Sequence, residues 1–212
     1  MRRPLSRHAI TEAARTILVD EGLHAVSLRR VAGVLGVTAP ALYAHVEDKR
    51  DLLQGIAEQE FEHMIERFRS IEARDPVERI REQCRAYVAY ACENPALFKA
   101  MFLFRPELTA EPRGADMPLA TKAFQVASEP VHEAVREGRF PATDPHLAAL
   151  TVWTATHGVA TMILSGPTMD AASPHEQRLV DTVINTVIAG LTCGGAGSVD
   201  ITDSQEPAPA SV

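Results

Sequence analysis

Apolar residues recur at helical spacing along nearly the whole of this 212-residue chain, and segments of alternating apolar and polar residues are nearly absent. A spacing of three and four residues puts side chains on one face of an α-helix, whereas a half-buried strand needs strict alternation. The pattern extends from Ala9 to Leu191, with interruptions at glycine, proline and N-capping residues. It predicts an all-α protein with about nine helices and no sheet.

Glycine, proline and capping residues mark the predicted helix boundaries. The first helix ends at Gly22, the second begins after Ser27 and ends at Gly36, and Thr38 caps a third helix that ends near Val46. Glycine accepts the left-handed conformation that follows a helix, and a hydroxyl accepts a hydrogen bond from a free N–H of the first turn. The later boundaries are predicted at Asp48, Asp75 and Pro76, Asn94 and Pro95, Gly138, Asp144 and Pro145, and a capping box at residues 173–176.

Charge is unevenly distributed along the chain. The formal net charge is −7, but eight basic and five acidic residues give residues 1–50 a balance of +3, so the remainder carries −10. A basic segment suits contact with phosphates, and an acidic remainder does not. Unless the clustering is accidental, the chain has a nucleic-acid-binding part and a larger part with another role.

The cysteines and the N-terminus favour a cytoplasmic protein. Three cysteines are an odd number for a disulfide framework, and the basic N-terminal residues are not followed by the apolar segment of a signal peptide. Residues 147–164 contain no Asp, Glu, Lys or Arg, and this uncharged segment is long enough for a membrane span. His157, four threonines and the lack of flanking basic clusters favour a buried central helix instead.

Residues 27–46 have the spacing that two short helices crossing at a steep angle require. Ala32 is small enough for close approach, Gly36 can take the positive φ of a tight turn, and Val37 and Leu42 fill the space between the helices. The pattern predicts a helix-turn-helix. Its second helix would enter the major groove of DNA with its N-terminal residues nearest the bases.

This segment and its continuation, SLRRVAGVLGVTAPALYAHVEDKRDLL, resemble the DNA-binding segment of TetR-family transcriptional regulators. With the preceding helix, the resemblance covers about residues 6–55. It implies a three-helix DNA-binding domain, a helical body that binds a ligand and forms a homodimer, and repression of transcription until a small molecule releases the protein from DNA.

The resemblance and the composition together predict three segments. Residues 1–49 form the helix-turn-helix domain, residues 50–194 the ligand-binding and dimerisation domain, and residues 195–212, low in large apolar side chains, a disordered tail. The expected partners are a pseudo-palindromic double-stranded operator, a small-molecule effector and a second copy of the chain, with no membrane.

Contacts with DNA phosphates are expected from four residues. In the family, Tyr43 and Lys49 reach backbone phosphates. A lysine in the first turn of a helix is disfavoured by the helix dipole unless an anion lies nearby, although a solvated lysine remains the alternative for Lys49. The N–H groups capped by Ser27 can also hold a phosphate, and His45 either pairs with a phosphate or covers the edge of the small core.

Base contacts are expected from Arg29 and from the start of the third helix. Arg29 is the only long hydrogen-bond donor among these residues, and it suits a bidentate contact with guanine. The others are small and mostly apolar, so they contact thymine methyl groups and leave further specificity to DNA shape. They are Thr38, Ala39, Pro40 and Ala41.

Trp153, His157 and Gly158 resemble the WHG-type C-terminal domain found in part of the family. One side of their helix is expected to face an apolar cavity with a few polar anchors, which suits a small, mostly hydrophobic or aromatic effector. The candidate ligand contacts are Tyr87, Tyr90, Phe98, Phe102, Phe124, His132, Trp153 and His157.

Small residues on the other side of that helix let a partner helix approach closely, and the last helix has a continuous apolar face. The expected dimer interface is a four-helix arrangement with two helices from each subunit. The alternative is that the apolar face of the last helix packs inside the subunit. The candidate interface residues are Gly158, Thr161, Val180, Ile184, Val187 and Leu191.

No enzyme motif supports catalysis, and no cofactor or metal is expected. The chain contains no GxSxG, P-loop, GxGxxG, CxxC or HExxH pattern. Glu129, His132 and Glu133 share a helix face, but such a triplet is usually a solvated polar surface. A scaffolding protein would leave the helix-turn-helix residues unexplained.

Overall fold

A computed structural model describes residues 5–103, 117–141, 144–166 and 173–194. Within these ranges the chain forms nine α-helices and no strands, which confirms the predicted fold class. The predicted tail and most of the predicted loop at 109–118 lie outside the described residues. The helices are α1 (Arg7–Glu21), α2 (Leu28–Leu35), α3 (Ala39–Leu42), α4 (Lys49–Arg69), α5 (Pro76–Glu93), α6 (Pro95–Met101), α7 (Pro118–Arg136), α8 (Pro145–Ser165) and α9 (Pro174–Thr192).

Two hydrophobic cores organise the molecule, and α4 and α6 contribute to both. The smaller core contains Ile10, Val31 and Leu42 from α1 to α3 together with Leu52 and Ile56 from α4. We call α1 to α3 with the first two turns of α4 the head. The rest of α4 packs with α5 to α9 in the larger core, which we call the body. The boundary predicted after residue 49 falls at the start of α4, whose first turns are part of the head core.

Local signals set most helix ends as predicted. The Ser27 hydroxyl accepts a hydrogen bond from the Arg30 N–H at 3.2 Å, and the Asp48 carboxylate accepts one from the Asp51 N–H at 2.8 Å. Gly36 has φ of 66° and ψ of 33°, the left-handed conformation that the turn between α2 and α3 requires. These contacts fix where the two helices of the helix-turn-helix begin and end.

The third helix differs from the prediction in its cap and its length. Thr38 occupies the N-cap position, but its side chain makes no capping hydrogen bond. Pro40 lacks one of the N–H groups that a cap would bind, and the Ala41 N–H donates to the Thr38 carbonyl at 3.0 Å. Hydrogen bonds between residues three apart tighten the chain rather than extend an α-helix, and α3 ends at Leu42 instead of near Val46.

One further expectation is corrected. At α9 the Ser173 hydroxyl accepts from the His175 N–H, one residue before the partner that a capping box uses. The uncharged helix α8 is buried on one face, against α5, α7 and α9, and its opposite face exposes Leu147 and Met162. By length and composition α8 could cross a membrane, a test that half-buried core helices also pass.

Candidate nucleic-acid interface and ligand cavity

The predicted DNA contacts lie on the outside of the head. Leu42 of α3 is completely buried against the head core, whereas Tyr43 beside it is 60% exposed. Six of the predicted residues are exposed and three are half-buried, so none is lost to the core. The exposed ones are Arg29, Thr38, Pro40, Ala41, Tyr43 and Lys49; the half-buried ones are Ser27, Ala39 and His45.

Two adjacent arginines of α2 have different surroundings. Arg30 is paired with Glu21 of α1 at 2.6 Å, which holds its guanidinium against the head. Arg29 makes no ion pair or hydrogen bond within the described part of the chain, and it is exposed. Its five N–H donors are therefore accessible to an external acceptor, as base recognition requires.

Lys49 and Ser27 already have partners within the head. The Lys49 ammonium donates to the Leu23 carbonyl at 3.2 Å, between α1 and α2. An ammonium group has three donors, so this contact leaves donors for a phosphate. The Ser27 hydroxyl is used as a cap, and the rest of the first turn of α2 keeps its free N–H groups.

Arg7 and Asp51 fix the segment that follows α3, a role that the sequence analysis missed. Arg7 of α1 pairs with Asp51 of α4 and donates to the His45 carbonyl at 2.9 Å. The hydrogen bond from Arg7 holds the pKa of Asp51 below its ordinary value. An acidic residue in the first turn of a helix is explained by the helix dipole alone, so this contact could not be predicted from the pattern of residues.

In the body, five of the predicted ligand residues form one cluster. The Tyr87 hydroxyl and His157 Nδ1 are hydrogen-bonded at 2.8 Å, and the ring of Trp153 stacks on His157 at 5.1 Å between centroids. Phe98 and Phe102 lie against the other sides of the imidazole. Burial lowers the pKa of His157, so the imidazole in this aromatic cluster is neutral near neutral pH.

Two small cavities adjoin the aromatic cluster. Each has a volume of about 40 Å³, and Phe68, Tyr87, Phe124 and Trp153 line both. A sixth predicted residue, Phe124, therefore lies beside the cluster. Both cavities are smaller than the roughly 300 Å³ that ligand pockets usually have, so side chains that line them must move to admit a ligand.

The other two predicted ligand residues lie elsewhere. His132 of α7 lines an outer groove between α4, α5 and α7, where burial and the neighbouring Arg136 lower its pKa. Tyr90 of α5 donates its hydroxyl hydrogen bond to Glu60 of α4 and lines neither small cavity.

Glu60 is a completely buried carboxylate at the junction of head and body. It accepts hydrogen bonds from Tyr90 of α5 and from Arg15 Nε of α1, the latter at 2.6 Å. Burial acts to raise the pKa of Glu60, but the hydrogen bonds from Arg15 and Tyr90 outweigh it and leave the pKa lowered. The contacts of Glu60 therefore link α1 of the head to α4 and α5 of the body.

The predicted dimer residues do not share one environment. Val180 and Ile184 are buried at 7% and 4% exposure against α5 and α8, so they belong to the core of the subunit and have little area left for a partner. This corrects the expectation for the apolar face of α9 and favours the alternative. Of the others, one is exposed and three are half-buried: Gly158, Thr161, Val187 and Leu191.

A different apolar surface of α8 and α9 is exposed. Met162 and Leu147 of α8 are 70% and 60% exposed, and Leu179 of α9 is 36% exposed. No charged residue interrupts α8, and Gly158 lies between its exposed apolar side chains. The exposed positions between Leu147 and Met162 are Thr151, Thr154 and Gly158, so this side of α8 is uncharged and its side chains are small.

No group of three or more His, Cys, Asp or Glu side chains that could hold a metal is found among the described residues. In the triplet at 129–133, Glu133 is paired with Arg79 of α5. That carboxylate has a structural partner and shows no arrangement for acid–base chemistry.

Comparison with known proteins matches both parts of the chain. Residues 10–56 match the family described as bacterial regulatory proteins, tetR family, and residues 80–187 match the tetracyclin repressor-like C-terminal domain. An uncharacterized HTH-type transcriptional regulator of Mycobacterium tuberculosis is 30% identical over 76% of this chain and 72% of its own.

Of two further similarities, one is confined to about a quarter of the chain and the other covers nearly the whole fold. The class C tetracycline repressor of Escherichia coli is 44% identical over 54 residues, which are 26% of this chain and 25% of the repressor. A solved structure of a protein with unknown function from Rhodococcus sp. RHA1 superposes with a TM-score of 0.70 at 24% identity, covering 90% of this chain and 97% of that one.

Proposed function

The chain belongs to the tetR family of bacterial regulatory proteins, and on that premise we propose that it represses transcription from a pseudo-palindromic operator until a small effector releases it. It is a DNA-binding transcriptional regulator. The observation that supports the docking proposal is the exposed outer face of the head, where Tyr43 and Arg29 are accessible while Leu42 anchors α3 from inside.

Each residue of this face has a proposed role. Tyr43 and Lys49 contact phosphates, joined by the first turn of α2 at Ser27 and by His45. Arg29 reads a guanine edge. Thr38, Ala39, Pro40 and Ala41 lie against the bases at the N-terminus of α3, where the hydroxyl of Thr38, unused as a cap, can contact a base or a phosphate.

Two copies of the chain pair through α8 and α9, with the exposed apolar surface around Met162, Gly158 and Leu179 facing the partner. Two heads joined in this way read half-sites about one helical turn of DNA apart, which is why the operator is pseudo-palindromic. The acidic body keeps the rest of the dimer away from phosphates, and the protein acts in the cytoplasm.

The effector occupies the region of the aromatic cluster in the body. The imidazole of His157 and the hydroxyl of Tyr87 are the polar groups there, and Phe98, Phe102 and Trp153 supply aromatic surface. A ligand that binds the DNA-incompetent arrangement more tightly shifts the equilibrium toward it and releases the operator.

The test is binding to DNA from the region upstream of the gene, measured by fluorescence anisotropy over a range of salt concentrations. Affinity should fall steeply with salt, and Lys49→Ala should weaken binding and reduce the salt dependence by about one released counterion per subunit. Tyr43→Ala should weaken binding by roughly tenfold, the worth of one charged hydrogen bond.

Lys122→Ala is the matched control, because Lys122 is an exposed lysine of α7 on the body. It should leave DNA affinity and its salt dependence unchanged. Binding that ignores salt, or that survives both head substitutions, would contradict the proposed docking of the head.

A further inference from the structure

Gln83 of α5 is a buried polar side chain without a partner. It is 6% exposed, and within the described part of the chain its amide makes no hydrogen bond. It lines one of the small inner cavities on one side and the outer groove on the other. The amide atoms are not among the fully buried polar atoms that lack a partner, so the open groove reaches them, and their hydrogen bonds are available to a ligand in either space.

The inner cavities and the outer groove are separated by little more than two side chains. Phe68 lines both small cavities and the groove, and Gln83 lines one of the cavities and the groove. A rotation of the Phe68 ring would join these spaces into one channel from the groove of about 490 Å³ to Trp153 and Tyr87.

The two ends of this channel differ in chemistry. The inner end is aromatic and aliphatic, and no charged side chain lines it. The groove is lined by three arginines and two glutamates, a local excess of positive charge in a part of the chain, residues 51–212, that carries −10. They are Arg69, Arg79, Arg136, Glu129 and Glu133.

The arginines differ in their availability. Arg79 is paired with Glu133, but Arg69 and Arg136 have no ion pair within the described residues. Each lies in the last turn of its helix, where a cation also offsets the helix dipole. The dipole accounts for their positions on α4 and α7 separately, but not for their meeting around one groove beside Gln83.

We propose that the effector is an amphipathic monocarboxylate whose apolar body enters the inner cavities past Phe68 and whose carboxylate is held in the groove by Gln83 and Arg136. This rests on the proposed function, because it names the ligand class of the same site. Filling the inner end displaces Phe68 of α4, and α4 also forms part of the head core. Ligand entry is thereby connected to the position of the head.

The test is isothermal titration calorimetry on the full chain without DNA. The probes are octanoate and 4-phenylbutyrate, each compared with its primary amide, which has nearly the same shape and no charge. At least one acid should bind about tenfold more tightly than its amide, the range expected for a charge-assisted hydrogen bond. Equal binding of acid and amide, or binding of neither pair, would overturn the proposal.

Three variants locate the carboxylate. Arg136→Gln should remove most of the preference for acid over amide, whereas Lys122→Gln, the same charge change on the exposed far end of α7, should keep it. Gln83→Leu should weaken binding of the acid about tenfold and leave the melting temperature without probe nearly unchanged, since the amide makes no hydrogen bond within the described residues. An Arg136→Gln or Gln83→Leu protein that binds the acid normally would contradict the assignment.

The two proposals fail in different ways. If an acid binds as expected but does not release operator DNA, the proposed regulation is wrong and the ligand class stands. If the protein binds and leaves DNA in response to other molecules while no acid binds, the ligand class is wrong and the regulation stands.

Discussion

His157 lies where four aromatic side chains meet, so its protonation state depends on the packing of the body. Trp153 and Phe98 stack on the imidazole, Phe102 meets it edge-on, and Tyr87 is hydrogen-bonded to Nδ1. Burial lowers the pKa of His157 below its ordinary value. The folded chain therefore favours the neutral ring more strongly than the unfolded chain does.

We expect acidification from about pH 7 to about pH 5 to destabilise the protein, and His157→Gln to reduce that loss. The stabilisation is fully present above the ordinary pKa of 6.5 and is lost as the pH falls through the lowered value. Scanning calorimetry should show a smaller fall in Tm over this pH range in the variant than in the wild type.

The control for this prediction is His175→Gln, because His175 is exposed on α9. It should leave the dependence of Tm on pH unchanged. Some dependence should persist in His157→Gln, since the pKa of His132 is also lowered. An identical pH dependence in wild type and His157→Gln would show that the aromatic cluster does not set the acid stability.

At the scale of the helices, α9 has two faces with different roles. Ile184 is buried in the subunit core, and Ile184→Ala should cost about 3 kcal/mol of stability without changing the oligomeric state. Met162 of α8 is 70% exposed, and Met162→Glu should give a folded monomer because it puts a charge in the proposed apolar interface. Light scattering after size exclusion and thermal melts separate the two effects.

A Met162→Glu protein that remains dimeric at low micromolar concentration would refute the proposed interface. Thr182→Glu supplies a second position on the exposed side of α9, and the same loss of dimer is expected there. If Ile184→Ala alone gave monomers, the partner contact would have to lie closer to the core face of α9.

The helix ends could be predicted from sequence where one local contact decides them. Ser27 and Asp48 accept hydrogen bonds from N–H groups three residues on, and Gly36 adopts the only conformation that its turn allows. The prediction for Thr38 was wrong because the N–H three residues on, that of Ala41, donates to the Thr38 backbone carbonyl instead of the hydroxyl. The apolar face of α9 was predicted to contact the partner subunit, but it packs inside its own subunit. Periodicity shows that a face is buried and does not show which surface covers it.

The candidate site was predictable to a similar degree. Aromatic residues at helical spacing on α5, α6 and α8 predicted the cluster around His157, but its cavities and Gln83 depend on side-chain packing between helices. The buried position of Glu60 could have been predicted, because Glu60 is a carboxylate on the apolar face of α4, between Ala57 and Met64. A charge at such a position needs a buried partner, which long-range packing supplies.

At the scale of the whole molecule, head and body are joined by α4, by α6, whose Leu97 and Ala100 lie in the head core, and by the contacts of one carboxylate. Glu60 connects Arg15 of α1 with Tyr90 of α5, and Tyr87, one turn earlier on α5, belongs to the aromatic cluster. A shift of α5 at the ligand end therefore reaches α1 through two hydrogen bonds. This short path gives the coupling between effector and operator a physical route.

We expect Glu60→Gln to destabilise the packing of α1 in the head, and Tyr90→Phe to have a smaller effect of the same kind. Glu60→Gln removes the partner of Arg15, which should cost about 2–3 kcal/mol and lower Tm by about 4–10 °C, whereas Tyr90→Phe keeps the Arg15–Glu60 ion pair. Hydrogen exchange should become faster in α1 in Glu60→Gln, while α8 and α9 remain protected. Tyr43→Phe, an exposed substitution in the head, should change neither the Tm nor the hydrogen exchange of α1. If exchange rose equally throughout the chain, Glu60 would stabilise the fold as a whole, and the route from effector to head would have to run through α4 and α6.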